Sequence, residues 1–174
     1  MKCLKRDDFL STTECDDIIF GMRDLPLKPA LIYEKGGDPY IDTSFCKSEN
    51  IRLPKRFVNP IKNKIKQYIP EIKKSLGIKK ELDTDDIDVV FIKYNKGCFF
   101  NTHRDTEDST RRKGERGVTI ILQLSSPSHY RGGRLSMYDG KRVGKDKYIF
   151  NNKRLMTNKR GSAIIFDSPA LTPH

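Results

Sequence analysis

Two of the three histidines in the chain stand where they could bind a metal ion together with a carboxylate. His103 is separated from Asp105 by one residue, and side chains two positions apart in an extended segment point to the same side. His174 follows the apolar run that ends at Phe166, so a neighbouring strand could bring its imidazole to the same ion. The spacing therefore predicts a metal site with two imidazoles, one carboxylate and open coordination positions.

Such a donor set is compatible with more than one chemistry. A facial arrangement of two histidines and a carboxylate is typical of non-haem Fe(II) oxygenases, which use the open positions for O₂ and a co-substrate. A Zn²⁺ hydrolase could use the same ligands, although the sequence has no HExxH helix and no second glutamate placed as a base. A His-x-Asp triplet also occurs by chance in surface turns. His129, ahead of a Gly-Gly pair, is interpreted as a loop histidine.

The elements that would position these residues begin with a helix. Ser11 stands three residues before Glu14, a capping-box spacing that satisfies the unpaired amides of a helix start, so a helix is predicted over about 12–23. Prolines and a Gly-Gly pair follow, and residues 25–50 are predicted to be loop and short strand.

A second helix is predicted between positions 54 and 76. Apolar residues recur there every three or four positions with lysines between them, which is typical of an amphipathic helix that covers an apolar surface. Pro60 and Pro70 are expected to delimit it, because proline removes a backbone donor.

The second half of the chain changes to short apolar runs rich in β-branched and aromatic residues, separated by glycine-containing turns. No helical stretch separates these runs, so an antiparallel sandwich or barrel is favoured over βαβ units. The predicted strands cover residues 87–94, 118–124, 134–138 and 163–166.

Length and composition limit the classes of protein. The 174 residues suffice for one domain. No apolar run is long enough to cross a bilayer, and the first residues contain no apolar signal region. These two features predict a cytoplasmic or nuclear protein without a membrane partner. The four cysteines form no CxxC pair, so reduced thiols are expected. The net charge of +11 is compatible with an anionic partner such as nucleic acid or an acidic protein, and equally with solubility alone.

In five places, in the same order, the chain resembles the Fe(II)- and 2-oxoglutarate-dependent dioxygenases of the prolyl-hydroxylase-like branch. The similar segments are Phe9-Leu10-Ser11 with Glu14-Cys15, Tyr94 to Gly97 with Phe100 and His103-Arg104-Asp105, Thr119 to Leu124, Tyr130 to Leu135, and Lys159 to Phe166 ahead of His174. The resemblance implies an α+β fold in which N-terminal helices, about 1–80, pack on a distorted double-stranded β-helix, a jelly-roll or cupin-like barrel, over about 87–174. One dioxygenase domain then spans 1–174.

The resemblance also implies roles for single residues. It makes His103, Asp105 and His174 the Fe(II) ligands and Tyr94 a wall of the 2-oxoglutarate pocket, although Tyr94 could equally be a core aromatic at a strand end. Gln123 is a further candidate near the co-substrate. The family normally has an Arg or Lys after the distal histidine to bind the far carboxylate of 2-oxoglutarate, and a closing strand. This chain ends at His174, so we expect a longer chain to supply both.

The implied activity is hydroxylation of a protein side chain, with prolyl the leading expectation, coupled to conversion of 2-oxoglutarate to succinate and CO₂. Ascorbate is a possible further cofactor. A basic segment at 105–117 could act as a lid over a substrate bordered by residues 25–50, or it could be a solvated charge run. A nucleic-acid oxygenase of the same superfamily and a basic nucleic-acid-binding module without catalysis are the alternatives. The oligomeric state is left open.

Overall fold

The computed structural model describes residues 2–32, 38–103, 105, 117–143, 148–156 and 159–168. In these ranges the chain forms two helices and ten strands, and the strands pair in antiparallel fashion. The helices are α1 (Thr12–Met22) and α2 (Lys55–Leu76). The strands are β1 (Cys3–Arg6), β2 (Lys28–Pro29), β3 (Cys46–Lys47), β4 (Glu49–Arg52), β5 (Val90–Lys93), β6 (Phe99–Phe100), β7 (Val118–Leu122), β8 (Ser136–Arg142), β9 (Tyr148–Leu155) and β10 (Ala163–Asp167).

The predicted first helix is confirmed as α1, and it begins with the predicted capping box. The Glu14 amide donates to the Ser11 hydroxyl at 3.1 Å, and the Ser11 amide donates to the Glu14 carboxylate at 2.7 Å. The Lys64 ammonium of α2 lies 2.6 Å from the same carboxylate. The cap therefore also joins the two helices.

The Glu14 carboxyl links the stability of this cap to pH. Burial alone would raise its pKa, but hydrogen bonds from Lys64 and Ser11 outweigh burial and hold the pKa below its usual value. Its stabilising effect is therefore present above the unfolded-state pKa of about 4.3 and is lost as the pH falls through the lower folded-state value.

Glu14→Gln keeps a capping side chain but removes the charge, and we expect it to lower the free energy of unfolding at pH 7 by about 0.5–1 kcal/mol. Urea unfolding of both proteins from pH 7 to pH 3 should show the difference vanishing below about pH 4. A difference that persists unchanged at pH 3 would contradict the assignment.

The second helix, α2, runs through both prolines, so the prediction that Pro60 and Pro70 delimit it was wrong. Each proline leaves the carbonyl four residues earlier without an amide partner, at a cost of about 3 kcal/mol. Those carbonyls belong to Arg56 and Lys66, which are exposed and accessible to water. The helix ends at Gly77, whose φ of 73° is the left-handed conformation of a helix C-terminus. Within the described residues, no helix combines the length and the apolar character needed to span a membrane.

Burial of its apolar face explains why α2 continues across the prolines. Four aliphatic side chains of the helix are buried, namely Ile61, Ile65, Ile72 and Leu76. They belong to one core cluster with buried residues of α1 and of β10, such as Ile18 and Ile165. Burying a side chain of this size contributes about 1.5–3 kcal/mol, so the packed face exceeds the cost of two interrupted hydrogen bonds.

Two three-stranded sheets contribute to this core, with the strand orders β1-β10-β7 and β2-β4-β5. The central strand β10 is buried along Ala163–Phe166. Alternation along this strand divides its side chains between two clusters: Ala163 and Ile165 face the helices, whereas Ile164 and Phe166 pack with Met137 of β8 on the other side. The remaining strands form two pairs, β3-β6 and β8-β9.

The predicted strands are confirmed with shifted ends, but β1, β6 and β9 were not expected. Residues 87–94, 118–124, 134–138 and 163–166 correspond to β5, β7, β8 and β10. Every residue of β9 whose side chain is described is exposed, so the strand has no one-sided burial pattern and depends on pairing with β8. The chain combines helices with antiparallel sheets, which agrees with the predicted α+β class. All four cysteines are free thiols.

Candidate active site

The segment that carries His103 is held against an earlier turn of the chain. Strand β6 pairs with β3, with Phe100 opposite Cys46. Immediately after β6, the Asn101 amide donates to the Phe45 carbonyl at 2.9 Å, and the Asn101 side chain donates to the Ser44 carbonyl at 3.1 Å. Residues from the region predicted as loop and short strand thus fix the position of the candidate ligand.

The turn is itself held by Asp42. Its carboxylate accepts hydrogen bonds from the Ser44 hydroxyl at 2.6 Å and from the amides of Ser44 and Phe45 at 2.8 and 3.2 Å. These bonds, the Ser44 hydroxyl first, hold the pKa of Asp42 below its ordinary value because they favour the charged form. A charged, three-bonded carboxylate keeps Phe45 in place beside the site.

The His103 ring is oriented by two aromatic rings and one carbonyl. Phe100 stacks on it with centroids 3.7 Å apart and planes inclined by 14°, and Phe45 meets it edge-on at 6.4 Å. Nδ1 lies 2.8 Å from the Asn101 carbonyl oxygen, which can only accept, so Nδ1 carries the proton. In the neutral tautomer that carries this proton, Nε2 presents its lone pair, and a backbone carbonyl on the other nitrogen is a common arrangement for metal-binding histidines.

Asp105 is brought to this imidazole, and its side chain is only 6% exposed. Oδ1 lies 3.9 Å from His103 Nε2. Oδ2 accepts a short hydrogen bond from the Thr119 hydroxyl on β7. The Thr119 hydroxyl lies 2.6 Å from that of Ser168, which follows β10. One carboxylate oxygen is thus tied to the sheet while the other faces the imidazole.

The pair fits a divalent metal ion by donor chemistry and by distance. A neutral imidazole nitrogen and a carboxylate oxygen are donors that Fe²⁺ and Zn²⁺ accept, and 3.9 Å is within the span of two ligand bonds of about 2.1 Å. Across the described ranges, no three His, Cys, Asp or Glu side chains converge as a metal group. The third predicted ligand, His174, lies outside the described residues, and so does most of the basic segment at 105–117 predicted as a lid.

Replacing Thr119 is expected to weaken metal binding without unfolding the protein. Thr119→Val removes the hydroxyl that holds Asp105 at nearly constant volume, and loss of such a supporting bond typically lowers metal affinity about 10–100-fold. Titration with Mn²⁺ or Co²⁺ by calorimetry measures the affinity directly. Thr119→Ser keeps the hydroxyl and should stay within about threefold of the unchanged protein. Equal affinity of the valine variant and the unchanged protein would contradict this role.

Tyr94, the predicted wall of the co-substrate pocket, follows β5 and is half-exposed. Burial of its hydroxyl end raises its pKa, the nearby Cys46 and Cys98 add to the shift, and a hydrogen bond with Ser48 opposes it. The phenol consequently remains protonated at neutral pH. It also lies beside an open cavity of about 270 Å³ lined in part by Cys46, Ser48 and Asn95.

Gln123, the second co-substrate candidate, follows β7. Its amide nitrogen donates to the Ser125 carbonyl and to the Tyr130 hydroxyl, both at 3.0 Å. Alternation places it on the same face of β7 as Thr119, about 13 Å further along the strand. It therefore shares a surface with the metal pair without touching it.

Thr119 and Ser168 were not among the predicted site residues. In the sequence, Thr119 is an ordinary β-branched residue of an apolar strand, and Ser168 is a turn residue after β10. The one available signal was the two-residue period of β7, which puts Thr119 and Gln123 on one face. His129 ends a single 3-10 turn and is exposed, in agreement with its interpretation as a loop histidine.

Comparison with known proteins agrees with this geometry. Residues 89–174, about half of the chain, match the model of the 2OG-Fe(II) oxygenase superfamily. A crystal structure of a prolyl-4-hydroxylase from Pseudomonas putida is similar, with a TM-score of 0.70 and 18% identity over 99% of this chain and 83% of that one. No curated protein matches the chain in sequence. The chain therefore belongs to the 2OG-Fe(II) oxygenase superfamily, and its fold is prolyl-hydroxylase-like.

Proposed function

We propose that this protein is an Fe(II)- and 2-oxoglutarate-dependent dioxygenase that hydroxylates a protein side chain, most specifically a prolyl residue. The observation that carries the proposal is the His103–Asp105 pair, in which Nε2 and Oδ1 face each other at 3.9 Å while Thr119 holds the other carboxylate oxygen. The pair lies within the family-matched half of the chain. The proposed arrangement is one domain in which helices pack on a double-stranded β-helix barrel.

In this proposal His103, Asp105 and His174 hold Fe(II). With 2-oxoglutarate and O₂ bound, the metal supplies the oxidation, in which one oxygen atom enters a substrate C–H bond and the other enters succinate as CO₂ leaves. Phe100 and Phe45 keep the imidazole oriented and limit access of water to it. Thr119 keeps Asp105 from rotating, so the carboxylate retains one oxygen for the metal.

Tyr94 and Gln123 are proposed to bind 2-oxoglutarate, with ascorbate as a possible reductant that maintains Fe(II). The raised pKa of Tyr94 keeps its phenol a hydrogen-bond donor at neutral pH, which suits a dicarboxylate ligand. The two hydrogen bonds donated by the Gln123 amide nitrogen fix the orientation of its side chain.

Removing the Tyr94 hydroxyl is expected to raise the KM for 2-oxoglutarate about tenfold or more, because a hydrogen bond to a charged group contributes about 1.5–3 kcal/mol. Tyr94→Phe keeps the ring and should leave Mn²⁺ affinity unchanged. Initial rates against 2-oxoglutarate concentration, with metal binding measured separately, test this. An unchanged KM would remove Tyr94 from the co-substrate site.

A protein substrate is supported by the fold and by the surface beside the site. The similar structure is described as a prolyl-4-hydroxylase. The open cavity beside Tyr94 is bordered by residues of the 25–50 region, including Pro29 and Ile41, which are apolar surfaces suited to a proline ring. These features support a peptide in extended form lying near the metal pair.

The decisive experiment follows succinate formation by the full natural chain with Fe(II), 2-oxoglutarate and ascorbate, with and without proline-containing peptides. We expect iron-dependent succinate that increases with a peptide and a mass gain of one oxygen atom on that peptide. Iron-dependent succinate without peptide oxidation would support an oxygenase with another substrate. Absence of succinate from folded, metal-binding protein would contradict the enzyme.

A nucleic-acid oxygenase is the second candidate, and the observation that favours it is the net charge of +11. The same assay with single-stranded DNA or RNA in place of peptide separates the two. Oxidation of a base or sugar with no peptide oxidation would favour this candidate.

A further inference from the structure

The β8–β9 ribbon, defined as β8 and β9 with their cross-strand pairing, carries exposed apolar and basic side chains. It is anchored at Met137 of β8, which is fully buried with Ile164 and Phe166. Along β9, by contrast, every side chain described is exposed, including Phe150 and Leu155 at 42% and 55%. An exposed strand of eight residues with large apolar side chains is a surface that monomeric proteins normally cover or use.

Aromatic rings and cations are interleaved on this ribbon. Tyr138 and Phe150 contact across the two strands with centroids 6.4 Å apart. The Lys153 ammonium lies 5.9 Å from the centre of the Tyr138 ring. The next residue, Arg154, has a side chain 59% exposed. The two rings and Lys153 therefore share one face of the ribbon, and Arg154, the cross-strand partner of Met137, lies on the opposite face of the same strand.

The charge of the region is strongly one-sided. Strands β8 and β9 contain four Lys and Arg against one Asp. That carboxylate, Asp139, accepts a hydrogen bond from Asn152 at 3.0 Å and lies 3.9 Å from Arg154. The ribbon thus has an excess of cations, which favours a polyanionic partner.

We propose that the β8–β9 ribbon binds single-stranded nucleic acid. Phosphates would pair with Lys153 and Arg154, and bases would stack on Phe150 and Tyr138, which is the combination that single-strand-binding surfaces use. An acidic peptide would satisfy the cations but would leave both rings without stacking partners. The inference does not depend on the proposed hydroxylase activity, because it concerns binding alone.

Fluorescence anisotropy with a labelled thymidine oligonucleotide of about 12 nucleotides tests the proposal at several salt concentrations. Lys153→Gln with Arg154→Gln should lower affinity at least about tenfold and reduce the slope of log K against log salt by about 1.4, for two lost phosphate contacts. Phe150→Ala should lower affinity at least about fivefold through lost stacking. The matched control is Lys79→Gln with Lys80→Gln, two exposed lysines outside the ribbon, which should change affinity less than about twofold.

Circular dichroism of each variant verifies that the fold is retained, as exposure of these side chains leads us to expect. Four results would overturn the proposal: no binding at low salt, equal losses in the ribbon and control pairs, competition by polyglutamate as effective as by the oligonucleotide, or equally strong competition by duplex DNA. The third would indicate an acidic protein partner, and the fourth would indicate groove binding.

Discussion

Asp105→Ala is expected to lower iron-dependent succinate formation by more than about a hundredfold, because removal of supporting partners of a metal ligand already costs about 10–100-fold and here the ligand itself is removed. The Asp105 side chain is almost fully enclosed, and Oδ1 is the oxygen that faces His103. Asp105→Asn keeps the size and the acceptor for Thr119 but lacks the charge, so it should lose activity as well.

Metal affinity separates this effect from unfolding. Mn²⁺ or Co²⁺ titration should show weak binding by Asp105→Ala and by His103→Ala, while their circular dichroism and urea midpoints stay close to those of the unchanged protein. Asp17→Ala, at an exposed position of α1, is the matched control and should keep full activity. Iron-dependent turnover by Asp105→Ala would contradict the ligand assignment and with it the proposed function.

Gly161→Ala is expected to lower the free energy of unfolding by about 2–5 kcal/mol. The left-handed backbone accounts for about 1–2 kcal/mol of this loss and steric overlap for about 1–3 kcal/mol. Gly161 has a φ of 77°, and a Cβ there would overlap the carbonyl oxygen of Leu10. The backbone cannot easily shift, because Gly161 accepts from the Leu10 amide at 2.9 Å and donates to the Gln123 carbonyl at 2.8 Å. This single position ties the start of α1 to the ends of β7 and β10.

Gly132→Ala provides the matched control for the glycine prediction. Its φ of 80° is nearly the same, but among the described residues, its two chain neighbours aside, no atom lies within 4 Å of the Cβ that alanine would add. Gly132→Ala should therefore lower the free energy of unfolding by only about 1–2 kcal/mol, the contribution of the left-handed backbone. Urea unfolding of both variants tests the comparison, and equal losses would show that the contact with Leu10 contributes nothing.

Local rules were sufficient where neighbours in the sequence supply the interactions. The capping box at Ser11 and Glu14 is a three-residue pattern, so the start of α1 could be predicted from it. The apolar runs of β7 and β10 could likewise be recognised in the sequence, because β10 is buried and β7 is half-buried beside it, so both strands are rich in apolar side chains.

Local rules failed where distant partners change the balance of free energy. Pro60 and Pro70 are helix breakers by propensity, yet burial of the apolar face of α2 against the sheets outweighs them. The β9 strand has no burial pattern to detect, and its pairing with β8 is decided by cross-strand hydrogen bonds.

The sequence by itself determined the two helices, the main strands and the one-residue spacing that lets His103 and Asp105 face one side. Only the tertiary structure decided which atoms of these two side chains face each other. Thr119 reaches Asp105 from a strand that begins 13 residues later, and Ser168, which follows β10, contacts the Thr119 hydroxyl. The 42–45 turn holds the segment of His103 from across a sheet. Hydrogen bonds between such distant segments depend on how the strands pair, and no short-range pattern in the chain encodes that pairing.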